Sequence, residues 1–220
     1  MAPTDYCERL AWLNTEVVLL AELVVDRYAD ALTAAATGDR WLAEEVVDGD
    51  AEINERYLEL ERHCTDLIAL QQPVASDLRL ITASFKIITD LERVGDLATN
   101  LAARTRAGQE GIHPAVDIES LGGNAAAMVE AAIEAYETAD PDACRALAER
   151  DDDLDAACDG ATRRIIRSLL AETDVDRAAA RTAASRGLLT VRDIERVGDH
   201  AVNIAARSLY MVDGDDELLY

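Results

Sequence analysis

Phenylalanine occurs once in the 220 residues, as Phe85, and all aromatics together make up 4% of the chain. A core of stacked rings is therefore excluded, and Leu, Ile, Val and Ala must supply the apolar volume. Glycine and proline are scarce, at 11 and 4 residues, so the chain has few turns of the tight kind that a many-stranded fold needs. With Ala, Leu, Glu and Arg abundant, the composition favours helix. Lysine is almost absent too: Lys86 stands alone, and the other basic residues are arginine.

Basic residues are outnumbered by acidic ones, 21 against 44, which leaves a net charge of −23. Such a chain is repelled by nucleic acid and by anionic membrane surfaces. An acid excess with a single lysine also predicts a salt-rich cytoplasm, where ions screen the self-repulsion. No uncharged apolar run reaches about 18 residues, so no membrane span is expected. No basic segment followed by an apolar run opens the chain, so no secretory leader is expected either. Cys7, Cys64, Cys144 and Cys158 form no CxxC pair and no zinc-like spacing with histidine. They read as buried free thiols of a reducing, cytoplasmic compartment.

What the chain does have is a repeat. Residues 91–104 read LERVGDLATNLAAR and residues 194–207 read IERVGDHAVNIAAR. Ten of these fourteen positions are identical. Upstream, Asp39 aligns with Asp140, Asp50 with Asp151 and Ile53 with Leu154. The chain is two copies of one unit.

Each copy resolves into three helical segments. In the first, Leu13, Val17, Leu20, Val24 and Tyr28 recur at helical spacing within a segment from about Glu8 to Ala36. Gly38-Asp39 supplies a stop and a cap. A second segment is predicted over 40–70, ended by Pro73, and a third over 74–106. The second copy is predicted as helices over 115–139, 140–172 (capped by Asp140, with Pro141 in the first turn) and 176–212, with Gly214 as the stop. Period-two alternation is missing, so no strand is expected. The predicted fold is all-α, two tandem up-down-up three-helix bundles: residues 1–107, a linker over 108–114, and residues 115–214.

The motif that could carry chemistry is Glu-Arg-Val-Gly-Asp. Residues four apart share a helix face, so Glu92, Asp96 and Asn100 form a row, and so do Glu195, Asp199 and Asn203. On a helical wheel with Leu91 at zero, the first row falls at about 100°, 140° and 180°, beside the apolar stripe. The second segments offer a facing row at the same spacing: Asp50 and Asn54, and then Asp151 and Asp155. Clustered carboxylates repel, and a multivalent cation relieves that repulsion. Oxygen ligands of this kind suit hard ions such as Mg²⁺, Mn²⁺, Ca²⁺ or iron. In a chain this acidic, one ExxxD pair alone means only solvated surface; it is the duplication that raises the row above background. Arg93 and Arg196 adjoin the motif and offer an ion-pair explanation instead. Gly95 and Gly198, each costing about 1 kcal/mol in a helix interior, predict close approach of a neighbouring helix. His200 has Leu97 as its counterpart and reads as peripheral, and His63 and His113 have no evident chemical partners. No Ser/His/Asp order, phosphate-binding glycine loop or, on the predicted helices, Glu-x-x-His pattern of di-iron bundles is present.

DLERVGDLATNLA at 90–102 and DIERVGDHAVNIA at 193–205 resemble the signature of the PhoU family. Asp77-Leu78-Arg79, Val46-Val47 with Asp50, and the run from Tyr210 to Gly214 are similar to that family as well. The resemblance implies tandem three-helix bundles that act as adaptors rather than enzymes. Their partners would be the phosphate-specific ABC transporter and, where present, a sensor kinase, and their effect would be to restrain phosphate uptake and starvation signalling. It also implies dimers and multinuclear clusters of iron, manganese, magnesium or zinc on paired acidic motifs. Carried over, one pair is Asp50/Asn54 with Glu92/Asp96, and the other is Asp151/Asp155 with Glu195/Asp199. Asn54 departs from the pattern, so the first cluster is expected to bind more weakly. The alternatives are an accessory subunit of another ion transporter and a carboxylate-cluster metalloenzyme. The Ala-rich stretch from Ala125 to Ala135 is the expected dimer face.

Overall fold

The computed structural model describes residues 3–71, 73–107, 113–171 and 177–214. Among the described residues there are seven helices and no strand. They are α1 (Pro3–Thr37), α2 (Arg40–Asp48), α3 (Asp50–Gln71), α4 (Ala75–Arg106), α5 (Ile118–Thr138), α6 (Pro141–Ala171) and α7 (Arg177–Asp213). Helices α1 to α4 form the first bundle, with α2 and α3 sharing its middle arm, and α5 to α7 form the second. The fold is thus all-α, two tandem three-helix bundles. They lie against each other through α1 on α5 and α4 on α7, and one hydrophobic core runs through both.

The apolar stripes are where helical periodicity puts them. Leu13, Val17, Leu20, Val24 and Tyr28 are all buried in α1. α4 buries Ile87, Leu91, Val94, Ala98 and Leu101, and α7 buries Val191, Ile194, Val197, Ala201 and Ile204. Packing of such stripes supplies most of the stability of long helices in water. The caps are also local. Gly38 takes a left-handed φ of 74°, and its N–H donates to the Ala34 carbonyl. The Asp39 carboxylate then accepts from the N–H groups of Trp41 and Leu42. Asp140 does the same for Asp142 and Ala143 at the start of α6.

The middle segment of the first copy differs from the uninterrupted helix predicted over 40–70. It breaks at Gly49, whose φ of −75° and ψ of −9° are open to any residue. Glycine leaves room there for the tip of a neighbouring side chain. A Cβ there would lie 2.7 Å from Cζ of Arg27 on α1, and the same guanidinium reaches Glu52 Oε2 at 3.4 Å. The corresponding position of the second copy is Arg150, and α6 runs through it without a break.

Three further expectations are revised. The Ala-rich stretch of α5 is spent inside the chain: Ala125, Ala132 and Ala135 are buried in its own core, so this is not a free dimer face. Cys7 is exposed, whereas Cys64, Cys144 and Cys158 are buried free thiols, as expected. Burial pushes the Cys64 and Cys158 thiols up to about 12 and Cys144 up to about 11. His113 is not idle. It is buried, its ring Nδ1 accepts from the Ala115 N–H, and its Cβ fills the space beside Gly187 on α7. The chain thereby ties its inter-repeat connection to α7. Residues 108–112 of the expected linker, Glu172, Asp176 and the residues after Gly214 lie outside those described. Among the described residues no helix is long and apolar enough to cross a membrane.

Candidate functional site

Both acidic rows sit at the seam between the middle arm and the last helix of a bundle. In the first copy, Asp50 opens α3, where the exposed N–H groups of a helix start favour a carboxylate. One turn later, Asn54 donates its amide to Asp50 Oδ2 at 2.9 Å. Across the seam, the Thr99 hydroxyl of α4 donates to Asp50 Oδ1, also at 2.9 Å. Both oxygens of Asp50 are therefore occupied by neutral donors. Glu92 and Asp96 are half-buried on α4. The Glu92 carboxyl is raised above its ordinary range, first by desolvation and then by Asp96, while Arg93 partly offsets the rise and Asp50 adds to it.

The second copy holds the same framework without those donors. Asp155 stands in place of Asn54, and Val202 in place of Thr99. Asp151 Oδ1 is buried with no hydrogen-bond partner. Its carboxyl is pushed up to about 6, by desolvation first and then by Asp155, Asp199, Asp152 and Glu195. Asp155 and Glu195 are raised as well, with desolvation leading and Asp199 repelling both. The structure thus brings Asp151, Asp155, Glu195 and Asp199 within each other's field at the α6–α7 seam. The repeated glycines make the seams close. A Cβ on Gly95 would lie 3.1 Å from Ile53 Cδ1, and one on Gly198 would lie 2.6 Å from Leu154 Cδ2 and 3.3 Å from Asp151 Oδ1.

The chemistry of this donor set fits a hard cation, and an orphaned, partly buried carboxylate oxygen is an observation in favour of one. Among the described residues, however, no three His, Cys, Asp or Glu side chains converge in ion-holding geometry. Asp155, Glu195 and Asp199 of the second row face solvent.

Two functional contacts were not foreseen. Asp90 and Asp193 occupy the same repeat position, two residues before Glu92 and Glu195, and each is bound by the other copy. Arg104 Nη2 of α4 lies 2.8 Å from Asp193 Oδ2, an ion pair without good hydrogen-bond alignment. His200 Nδ1 of α7 lies 2.9 Å from Asp90 Oδ1, and Asn203 Nδ2 lies 3.5 Å from the same oxygen. His200 is thus an inter-repeat tie rather than a peripheral residue. Asn203 leaves the acidic row and turns toward α4. The sequence did carry a signal, since the duplicated block includes that aspartate.

A duplicated helical bundle with a glycine-backed acidic row at the same seam of each copy is a recognisable class, a tandem-repeat helical-bundle protein. The family model described as "PhoU domain" matches the chain twice, over residues 17–105 and 118–208, and the chain belongs to the PhoU family. It is 32% identical over 211 residues to the phosphate-specific transport system accessory protein PhoU of Edwardsiella tarda, covering 94% of this chain and 84% of that one. It is also 32% identical over 207 residues to the corresponding homologue of Pseudomonas aeruginosa, covering 93% of this chain and 84% of that one. The crystal structure of PhoU from Pseudomonas aeruginosa superposes with a TM-score of 0.88 at 30% identity, covering 96% of this chain and 100% of that one. A Streptococcus pneumoniae phosphate transport system regulatory protein PhoU shares the fold, with a TM-score of 0.85 at 24% identity.

Proposed function

We propose that this chain is a cytoplasmic regulator of phosphate uptake and phosphate-starvation signalling. It acts as an adaptor on the phosphate-specific ABC transporter and, where one is present, on a sensor kinase. It works as a homodimer and binds divalent or trivalent metal ions through oxygen ligands. Family membership over nearly the whole chain supports the regulatory part, together with relatives named as phosphate transport accessory proteins. The observation that supports the metal part is Asp151, a partly buried carboxylate with an orphaned oxygen among four further acids.

A bound cation would supply the positive charge that this cluster lacks. Asp151, Asp155, Glu195 and Asp199 would hold it, and Asp50, Asn54, Glu92 and Asp96 would hold its counterpart. The two seams are unequal. Asp50 is already satisfied by Asn54 and Thr99, so a metal there must displace two hydrogen bonds and meets one charge fewer. At the second seam it displaces none from Asp151. The second site is therefore the stronger one.

Elemental analysis of purified protein at high salt, before and after chelation, tests this reading. Bound metal should be lost when Glu195 and Asp199 are changed to alanine, and far less affected by Glu92→Ala with Asp96→Ala. Equal losses would refute the asymmetry, and no metal under any loading condition would reduce the rows to surface. A phosphate-starvation reporter in cells carrying the same variants tests regulation separately.

A further inference from the structure

A second surface is built quite differently from the acidic rows. α1 and α5 run side by side, and the seam is shut at one end, where Leu32 packs directly over Gly122. Toward residues 18–26 of α1 and 130–137 of α5 it opens into a groove of about 380 Å³. That volume lies in the range of small-ligand pockets, about 300–1,000 Å³. Val18, Ala21, Val25 and Ile133 form its floor. Its walls are Glu22 and Asp26 on α1, and Glu130, Glu134 and Glu137 on α5. None of the lining residues is basic.

This arrangement is unfavourable within the chain itself. Glu22 with Asp26, and Glu130 with Glu134, are like charges four residues apart on one helix face. Glu134 and Glu137 also lie at the C-terminal end of α5, where the helix dipole is negative and no basic residue sits in the last turn. The wall charges thus repel one another and oppose the helix end, above a floor that stays apolar.

We propose that this groove docks a basic amphipathic helix of a partner protein. Its apolar face would lie on Val18, Val25 and Ile133, and its Arg or Lys side chains would pair with the five carboxylates. The residues lining α1 span about 12 Å, or two helical turns, which suits anchors at i, i+3 or i+4, and i+7. Charge selects this occupant over the others. A second copy of a chain with net charge −23 brings like charge to the groove, and so does an anionic membrane. The inference rests on the adaptor reading only in supplying a contact surface for a protein partner. Measured in vitro, it can fail while the regulatory reading, which rests on family membership, stands.

The test uses a fluorescent 18-residue Lys/Leu peptide with all its leucines on one helix face, and a scrambled isomer of identical composition. Anisotropy is measured on the full chain at moderate and high salt. Removing three wall charges (Glu130→Gln, Glu134→Gln, Glu137→Gln) should weaken binding of the amphipathic peptide about tenfold or more. Removing three exposed charges elsewhere (Glu8→Gln, Glu44→Gln, Glu45→Gln) should change it little. Val18→Trp, which fills the groove and leaves the charge alone, should weaken it too. Helical circular dichroism confirms that each variant is folded. Equal losses from both triple variants, or equal binding of the scrambled isomer, overturn the proposal in favour of general acidity. A shift in oligomeric state confined to the wall variant overturns it in favour of a second copy.

Discussion

Asp151 carries a polar need that the fold leaves unmet, an Oδ1 buried without a hydrogen-bond partner. Its ordinary carboxyl value is 3.8, and its folded value is about 6. The folded state therefore binds a proton more tightly than the unfolded chain does, and stability falls as pH rises between those values. The cost is fully present above about pH 6 and fades as pH falls toward 4. Asp155, Glu195 and Glu92 are raised too and act in the same direction, while His63, whose value burial lowers, opposes them. Chelated protein is expected to melt at a higher temperature at pH 5 than at pH 7. Asp151→Asn should raise the pH 7 melting temperature by about 2–4 °C, roughly 1 kcal/mol once solvent screening is allowed for. It should also flatten the pH dependence and abolish metal binding at the second seam. Thermal melts of wild type and variant, with and without chelator, check all three. The opposite case is Asp193, buried beside Arg104. Arg104→Leu leaves the buried carboxylate with only Arg192, 3.6 Å away on its own helix, and in denaturant titration should cost less than the roughly 3–5 kcal/mol of a fully unpaired buried charge.

At the scale of helices, the seams depend on what glycine leaves out. Gly95→Ala gains about 1 kcal/mol of helix propensity and asks Ile53 to give by a few tenths of an ångström, so near-neutral stability is expected. Gly198→Ala puts a methyl group against both Leu154 and Asp151, and overpacking of this kind costs about 1–3 kcal/mol. The expected result is a lower denaturation midpoint together with weaker metal binding; a variant as stable and as metal-loaded as wild type would falsify the close-packed seam. Much of this level was legible in the sequence. The α1 stripe from Leu13 to Tyr28, the Gly38-Asp39 cap, the Asp140-Pro141 start and the Gly214 stop all follow from contacts between near neighbours in the chain. So does the placement of the acidic rows on facing helices. The break at Gly49 was not legible, since its φ and ψ are ordinary and its neighbour Arg27 lies more than twenty residues away on another helix. The difference between the two acidic sites was half legible. Asn54 against Asp155 shows in the repeat alignment, but Thr99 matters only once the fold sets its hydroxyl against Asp50. The inter-repeat ties of Asp90 and Asp193 depend wholly on how α4 meets α7.

For the whole molecule, the two bundles are not independent. α1 and α4 each pack on the other copy, and one core spans both. Residues 1–107 expressed alone would expose those faces and are expected to associate or to melt without cooperativity, as ultracentrifugation and calorimetry would show. The net charge of −23 acts on the molecule as a whole. Molar KCl should raise the melting temperature by screening self-repulsion; no change or a fall would remove the case for salt adaptation.

The exchange of aspartates across α4 and α7 has a historical reading. A contact in which the same residue of each half is gripped by the other half is the geometry of a two-fold homodimer. In a homodimer every substitution falls on both sides at once, so the two grips must stay alike. Here the grips come from different repeat positions: Arg104, whose counterpart is Arg207, and His200 with Asn203, whose counterparts are Leu97 and Asn100. Joining the halves in one chain is what frees them to diverge. The same freedom lets the two acidic seams differ, with Asn54 and Thr99 beside Asp50 in one and Asp155 and Val202 beside Asp151 in the other.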